Sequence, residues 1–227
     1  MQKLCIALIS LLFLLANNVN AGIIIGSSRL IYHGDKKESA INIENPDPVP
    51  FLIQSWTEDS DGKPIKADNA FIVTPPLFRL DGNQKNLLRI IRTASALPQD
   101  RESLFWLNIK SIPSSSREDS NTLQIAVRSR LKLIYRPSPL KNDMPESVTH
   151  RLSWKKVGDR LEVTNPTGYY MNFLYIKAGN SKIADGGLVA PYSSASFAGA
   201  EKIHSGEISW KIINDYGGFG EVHRATL

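Results

Sequence analysis

The chain has 227 residues, 42% hydrophobic and 8% aromatic, enough for one or two domains with cores of their own. Its 27 Lys and Arg against 22 Asp and Glu give a formal charge of +5, but the two signs are interspersed, which argues for solubility and an anionic contact and against nucleic-acid binding. A single cysteine, Cys5, excludes a disulfide-stapled scaffold and a thiolate metal site.

The opening stretch MQKLCIALISLLFLLANNVNA has one cation, Lys3, and then a run from Leu4 to Ala16 that is apolar apart from Ser10. That run falls short of the roughly 20 residues a membrane span needs. Val19 and Ala21 fit a cleavage site, so residues 1–21 are predicted to be a secretory signal peptide. Cys5 sits too early to be a lipid-attachment cysteine, and its removal leaves a mature chain without thiols. With no second long apolar run, no membrane insertion is expected after cleavage.

Residues 22–140 contain seven β-rich runs: RLIYHG, SAINIEN, VPFLIQSWTE, AFIVTPPLFRL, NLLRIIRTA, SLFWLNIKSIP and LQIAVRSRLKLIYRP. Gly, Pro, Asn and Asp clusters separate them and no helical period is sustained, which predicts an immunoglobulin-like sandwich. In the last run Leu123, Ile125, Val127, Leu131, Leu133 and Tyr135 alternate onto one face, and Arg128, Arg130, Lys132 and Arg136 onto the other. Cations of this kind guard exposed sheet edges, while a regular aliphatic row reads as core. The pattern alone favours a core strand shielded by Arg128 and Arg130, and leaves open an edge held free for another molecule.

The tract RPSPLKNDMPES has the composition of a linker, placing a domain boundary near Lys141. Residues 141–227 repeat the β grammar in RLSWKKVG, DRLEVTNPTG, YYMNFLYIKAG, GGLVAPYSSASF, GEISWKIINDYGG and GEVHRATL, predicting a second, shorter all-β domain. The histidines, His33, His150, His204 and His223, are scattered without metal-ligand spacing and read as surface or turn residues. No nucleophile elbow, phosphate-binding loop or dinucleotide fingerprint is present, and INDYGGFG follows a strand without opening a helix. Neither an enzyme nor a metal or cofactor protein is expected.

The segment LPQDRESLFWLNIKSIP, Leu97 to Pro113, resembles the signature of the periplasmic chaperones of the chaperone/usher pathway, which assemble pili and fimbriae in Gram-negative bacteria. The likeness continues in RLIY, NPDPVPFLIQSW, FIVTPPLFRL, LQIAVRSRLKLIYRP, NPTGYY, APYSS and INDYGG. SIPSSS and RLDGNQKN depart from the usual pattern, the first having serines where a second proline is common and the second having Asp-Gly where Glu-Pro-Gly is frequent. The short connection from Ile112 to Leu123 is similar to the short-loop branch, associated with rod-like pili.

The resemblance implies two immunoglobulin-like domains set at an angle with a cleft between them. It further implies that Leu123, Ile125 and Val127 enter the hydrophobic groove of an incomplete pilus subunit, and that Arg29 and Lys132 grip the subunit's C-terminal carboxylate. Glu102, Arg136 and Asp215 would pair across the domain interface in a structural role. The implied partners are pilus subunits and an outer-membrane usher, in the periplasm, without nucleic acid, nucleotide or cofactor. A pilus structural subunit is the alternative, but RLIY begins within a few residues of Ala21, leaving no donor extension, and the mature chain lacks a cysteine pair. An exported immunoglobulin-like enzyme or binding module is the other.

Overall fold

The computed structural model describes residues 22–63, 70–93, 96–114, 123–203 and 206–227. The predicted signal peptide and His204 lie outside them. The first half forms β1 (Ile24–Ile25), β2 (Arg29–His33), β3 (Glu38–Asn45), β4 (Phe51–Glu58), β5 (Phe71–Thr74) and β6 (Leu77–Leu80). It is completed by β7 (Gln84–Arg92), β8 (Ser103–Pro113) and β9 (Val127–Arg136). One sheet has the order β1-β3-β7-β5 and the other β2-β9-β8-β4-β6. Period-two alternation explains the packing: Ile41 and Ile43, Phe51 and Ile53, and Leu88 and Ile90 are buried between the sheets, while Leu52, Leu87 and Ile91 point out.

Two expected runs are each divided. AFIVTPPLFRL becomes β5 and β6, on opposite sheets, because Pro75 and Pro76 supply no backbone donor to carry one ladder through. GGLVAPYSSASF is likewise split by Pro191. The second half runs β10 (Ser153–Val157), β11 (Arg160–Asn165), β12 (Met171–Ala178), β13 (Ser181–Val189), β14 (Ser193–Ala198), β15 (Glu207–Ile212) and β16 (His223–Thr226). Its sheets are β10-β11-β14 and β13-β12-β15-β16, around Leu161, Val163, Met171, Phe173, Ile176 and Trp210. The molecule is thus all-β, with two immunoglobulin-like sandwiches. Between them the proline-rich tract forms one short helical turn at Ser138–Leu140 and a one-turn helix, α1 (Pro145–Val148). No helix among the described residues is long and apolar enough to cross a membrane.

The fold answers what the strand pattern left open. Strand β9 begins at Val127, four residues later than the alternation suggests, and Leu123 to Ala126 lie outside any ladder. Leu131, Leu133 and Tyr135 are buried in the first core, whereas Leu123, Ile125 and Val127 are 87%, 65% and 54% exposed. One sequence row therefore divides into a core half and an open half.

This division sets an expectation for stability. Leu133→Ala should cost about 2–5 kcal/mol, as buried Leu truncations do, while Leu123→Ala should stay within about 0.5 kcal/mol. Urea denaturation of the two variants reads the difference, and equal losses would place the whole row in the core.

Candidate functional site

Strand β9 has two different neighbours. Along its inner side β8 pairs with it antiparallel over the whole strand, from Ser111↔Val127 to Ser103↔Tyr135. On its other side β2 pairs parallel, but only from Arg29↔Lys132 to His33↔Arg136. The reason lies in the first strand: Ile24 and Ile25 pair with β3 in the opposite sheet before the chain crosses over to become β2. Among the described residues, Val127 to Leu131 therefore have no strand on their outer edge. Ile23, Ile25, Ile109 and Val127 line a small cavity of about 80 Å³ beside this opening.

The last rung before the opening carries two cations side by side. Arg29 and Lys132 face each other in the parallel register, Arg29 buried and Lys132 half-buried. Burial lowers the pKa of Arg29, with the charge of Asp215 working the other way. Burial also lowers that of Lys132, and the neighbouring Arg29 adds to the effect. Arg29 Nη1 donates to the Ile213 carbonyl at 3.3 Å, but its buried Nε has no hydrogen-bond partner among the described residues. Lys132 lies 6.0 Å from the Trp106 ring centroid. A carboxylate entering here would relieve the repulsion between the two cations and supply the missing acceptor.

At the other end of β9, Arg136 joins both domains. Its Nε donates to Glu102 Oε1 at 2.7 Å, and Nη1 and Nη2 donate to Asp215 Oδ2 and Oδ1 at 2.7 and 2.9 Å. The second Glu102 oxygen accepts the Tyr170 backbone N–H at 2.7 Å, across the domain boundary. Glu102, Arg136 and Asp215 are thus brought together. Asn165 prepares the second domain's side: its amide donates to the Tyr169 and Ala190 carbonyls and its Oδ1 accepts the Thr167 N–H, fixing the turn that presents Tyr170. Gly168 in that turn passes so near the first domain that a Cβ would stand 2.9 Å from the Asp100 carbonyl oxygen.

Burial opposes the Arg136 charge, yet hydrogen bonds to Asp215 and the charges of both carboxylates more than offset it and raise its pKa. Burial pushes Glu102 up to about 7 against the pull of Arg136 and the Tyr170 N–H. The arginine thus keeps its proton. A cleft cavity of about 240 Å³ lies beside this network, lined by Ile31, His33 and Arg136 of the first domain and by Asp143, Met144, Asp215 and Tyr216 beyond the boundary.

Two groups were not visible in the sequence pattern. His223, expected as a solitary surface or turn residue, instead bonds Glu146 Oε1 at 2.8 Å and stacks on Trp210 at 5.8 Å between ring centroids. Glu146 also accepts the Glu221 N–H, tying the 216–223 loop to α1. Glu58 on β4 is the second; its placement opposite the cations of β9 follows from sheet order, which a linear pattern does not contain. No cluster of three or more metal-ligating side chains occurs among the described residues.

Comparison with known proteins matches residues 22–141 to the family described as "Pili and flagellar-assembly chaperone, PapD N-terminal domain" and residues 147–223 to "Pili assembly chaperone PapD, C-terminal domain". The chain is 38% identical to the probable fimbrial chaperone LpfB of Escherichia coli O157:H7, over 98% of this chain and 96% of the relative. It is 40% identical to the chaperone FimC of Escherichia coli K12, over 90% of this chain and 84% of the relative. Among solved structures, SafB from Salmonella enterica, described in complex with the SafA pilin, superposes with a TM-score of 0.81 at 32% identity, covering 93% of this chain and 99% of that one.

The raised Glu102 pKa fixes a pH dependence. Between its ordinary value of 4.5 and about 7 the folded chain keeps a proton that the unfolded chain has lost, so this group's contribution to stability falls as pH rises through that window. Glu102→Gln cannot ionise, so the parent's stability relative to this variant should decline from pH 4.5 to pH 7.5 in denaturation series. A constant difference would mean that the Glu102 pKa is not shifted by folding, and a difference that rises with pH would mean that Arg136 outweighs its burial.

Proposed function

The chain belongs to the family of pilus-assembly chaperones, and from that premise we propose that it captures pilus subunits in the periplasm by strand addition and hands them to an outer-membrane usher. The observation that carries this reading is the juxtaposition, among the described residues, of an unpaired strand edge with a buried arginine and a half-buried lysine at its last closed rung. Strand addition uses free backbone donors and acceptors for affinity and alternate side chains for specificity, and chaperone–pilin donor-strand complementation is an established instance of it.

Leu123, Ile125 and Val127 are the donor residues in this reading, entering an apolar groove of the subunit while the β9 backbone supplies the ladder. Burying each gives roughly 1.5–3 kcal/mol gross, from which association and ordering costs are subtracted. Arg29 and Lys132 anchor the subunit's C-terminal carboxylate. The anchor also fixes register, because a slip of one residue turns Leu123, Ile125 and Val127 away from the groove. Glu102, Arg136 and Asp215 hold the domains so that the Ile213 carbonyl stays under Arg29. The first sandwich, residues 22–140, is the subunit-binding domain, and residues 141–227 complete the cleft. No nucleotide is needed in this scheme: exchange of the chaperone strand for a better-packed neighbouring subunit releases the cargo.

Arg29→Ala and Lys132→Ala should each lower subunit affinity by about 2–5 kcal/mol, as truncating one partner of a desolvated charge pair does, while circular dichroism stays that of the parent. Ile125→Asp should abolish capture in a folded protein, since a lone carboxylate in an apolar groove is strongly disfavoured, and Gln124→Asp should leave capture near normal. Co-purification of subunits from periplasm with each tagged variant measures both. Full subunit yield with Arg29→Ala or Lys132→Ala would remove the anchor assignment, and an unfolded Ile125→Asp protein would return that residue to the core.

A further inference from the structure

The outward face of the five-stranded sheet holds an arrangement that the cleft does not use. Glu58 closes β4 on that face, yet it is buried. Arg128 Nη2 donates to Glu58 Oε1 at 2.5 Å, Trp56 Nε1 donates to the same oxygen at 3.1 Å, and Arg130 Nη2 lies 3.4 Å from Oε2. Arg128 also donates through Nε and Nη2 to Asn108 Oδ1, at 2.9 and 2.7 Å. The guanidinium of Arg128 lies 5.0 Å from the Trp56 ring centroid and that of Arg130 lies 4.1 Å from the Trp106 centroid. The two arginines, still exposed to solvent along one side, are therefore laid down across β8 and β4 with a shared counter-charge.

Their position along β9 gives this consequence. Residues 128 and 130 belong to the stretch Val127–Leu131, which among the described residues is laddered on the β8 side alone, whereas Lys132–Tyr135 is held by β8 and β2 together. A segment with one ladder opens more readily than one with two, and preordering a binding segment favours association by removing an ordering cost. We propose that Glu58 is a positioning residue for the donor strand: by gripping Arg128 and Arg130 it keeps Val127–Leu131 in strand geometry before a subunit arrives. This rests on the strand-addition reading given above. Glu58 acts through the arginines, since even-numbered side chains face away from the groove that the odd-numbered ones enter. Leu123–Ala126 lie beyond the clamp and outside any ladder, so capture proceeds from the anchored rung outward, with that end of the strand ordering last.

The test compares the full-length parent with Glu58→Gln and Arg29→Ala by amide exchange in the free protein and by the rate at which each captures the subunit that co-purifies with the parent from periplasm, added from denaturant. Glu58→Gln should speed exchange of the 127–131 segment about tenfold, the scale of one lost charge-assisted hydrogen bond. It should leave the 132–136 segment and the second domain unchanged, and slow capture several-fold. Arg29→Ala should leave exchange at 127–131 as in the parent and lose capture. Unchanged exchange at 127–131 in Glu58→Gln, a uniform rise across all segments of the first domain, or local loosening with an unaltered capture rate would each overturn the positioning role while leaving the anchor standing. Normal capture by Arg29→Ala would instead remove the anchored strand-addition reading, and the role of Glu58 with it.

Discussion

The ladder on the outer side of β9 stops at Lys132, and the rest of the molecule is arranged around that stop. Because Ile24 and Ile25 are committed to the opposite sheet, β2 reaches β9 only from Arg29 onward, so among the described residues five positions of one strand keep an unpaired edge. An open edge with aliphatic side chains is an aggregation hazard that most proteins cover or charge. Here it ends at two cations, whose desolvated charges call for an anion at the position where an added strand would terminate. In the proposed reading, edge and anchor together define a direction and a register for the bound strand.

Both faces of β9 change partner close to this rung. On the inward face Leu131, Leu133 and Tyr135 fill the first core while Val127 is exposed. On the outward face Ile134 and Arg136 are buried, Arg136 against the second domain, while Arg128 and Arg130 lie along the first domain's own sheet. The second domain is consequently part of the site. It supplies the Ile213 carbonyl to Arg29, Asp215 to Arg136 and the Tyr170 N–H to Glu102. A buried ion network of this kind need not increase net stability, since desolvation of three charges opposes their attraction. It bonds the two domains to each other where they meet, and the Glu146–His223 pair ties the loop that follows Asp215 to α1.

Much of this was legible in the chain. Alternation and turn residues marked both sandwiches, because each strand has one buried and one outward face. Two short runs were missed as separate strands where prolines divided them, and Ile24–Ile25 is too brief to show a period. Of the row from Leu123 to Tyr135, Val127 onward is strand as the alternation predicts while Leu123–Ala126 is not, because period two reports only that a face is apolar, and the protein's own core and a partner's groove look alike to it. Arg29, Lys132, Glu102, Arg136 and Asp215 came from resemblance, since residues brought together from distant strands leave no local spacing. Glu58 and His223 were missed for the same reason: their partners lie 70 and 77 positions away.

Amide exchange across Leu123–Leu131 in the purified complex with a captured subunit tests the central claim most directly. Added-strand pairing predicts that this whole stretch, including the four residues outside any ladder in the free chain, becomes as protected as Lys132–Arg136. A stable complex in which Leu123–Leu131 exchanges as it does in the free protein would contradict it, and would move the subunit-binding surface elsewhere on the molecule.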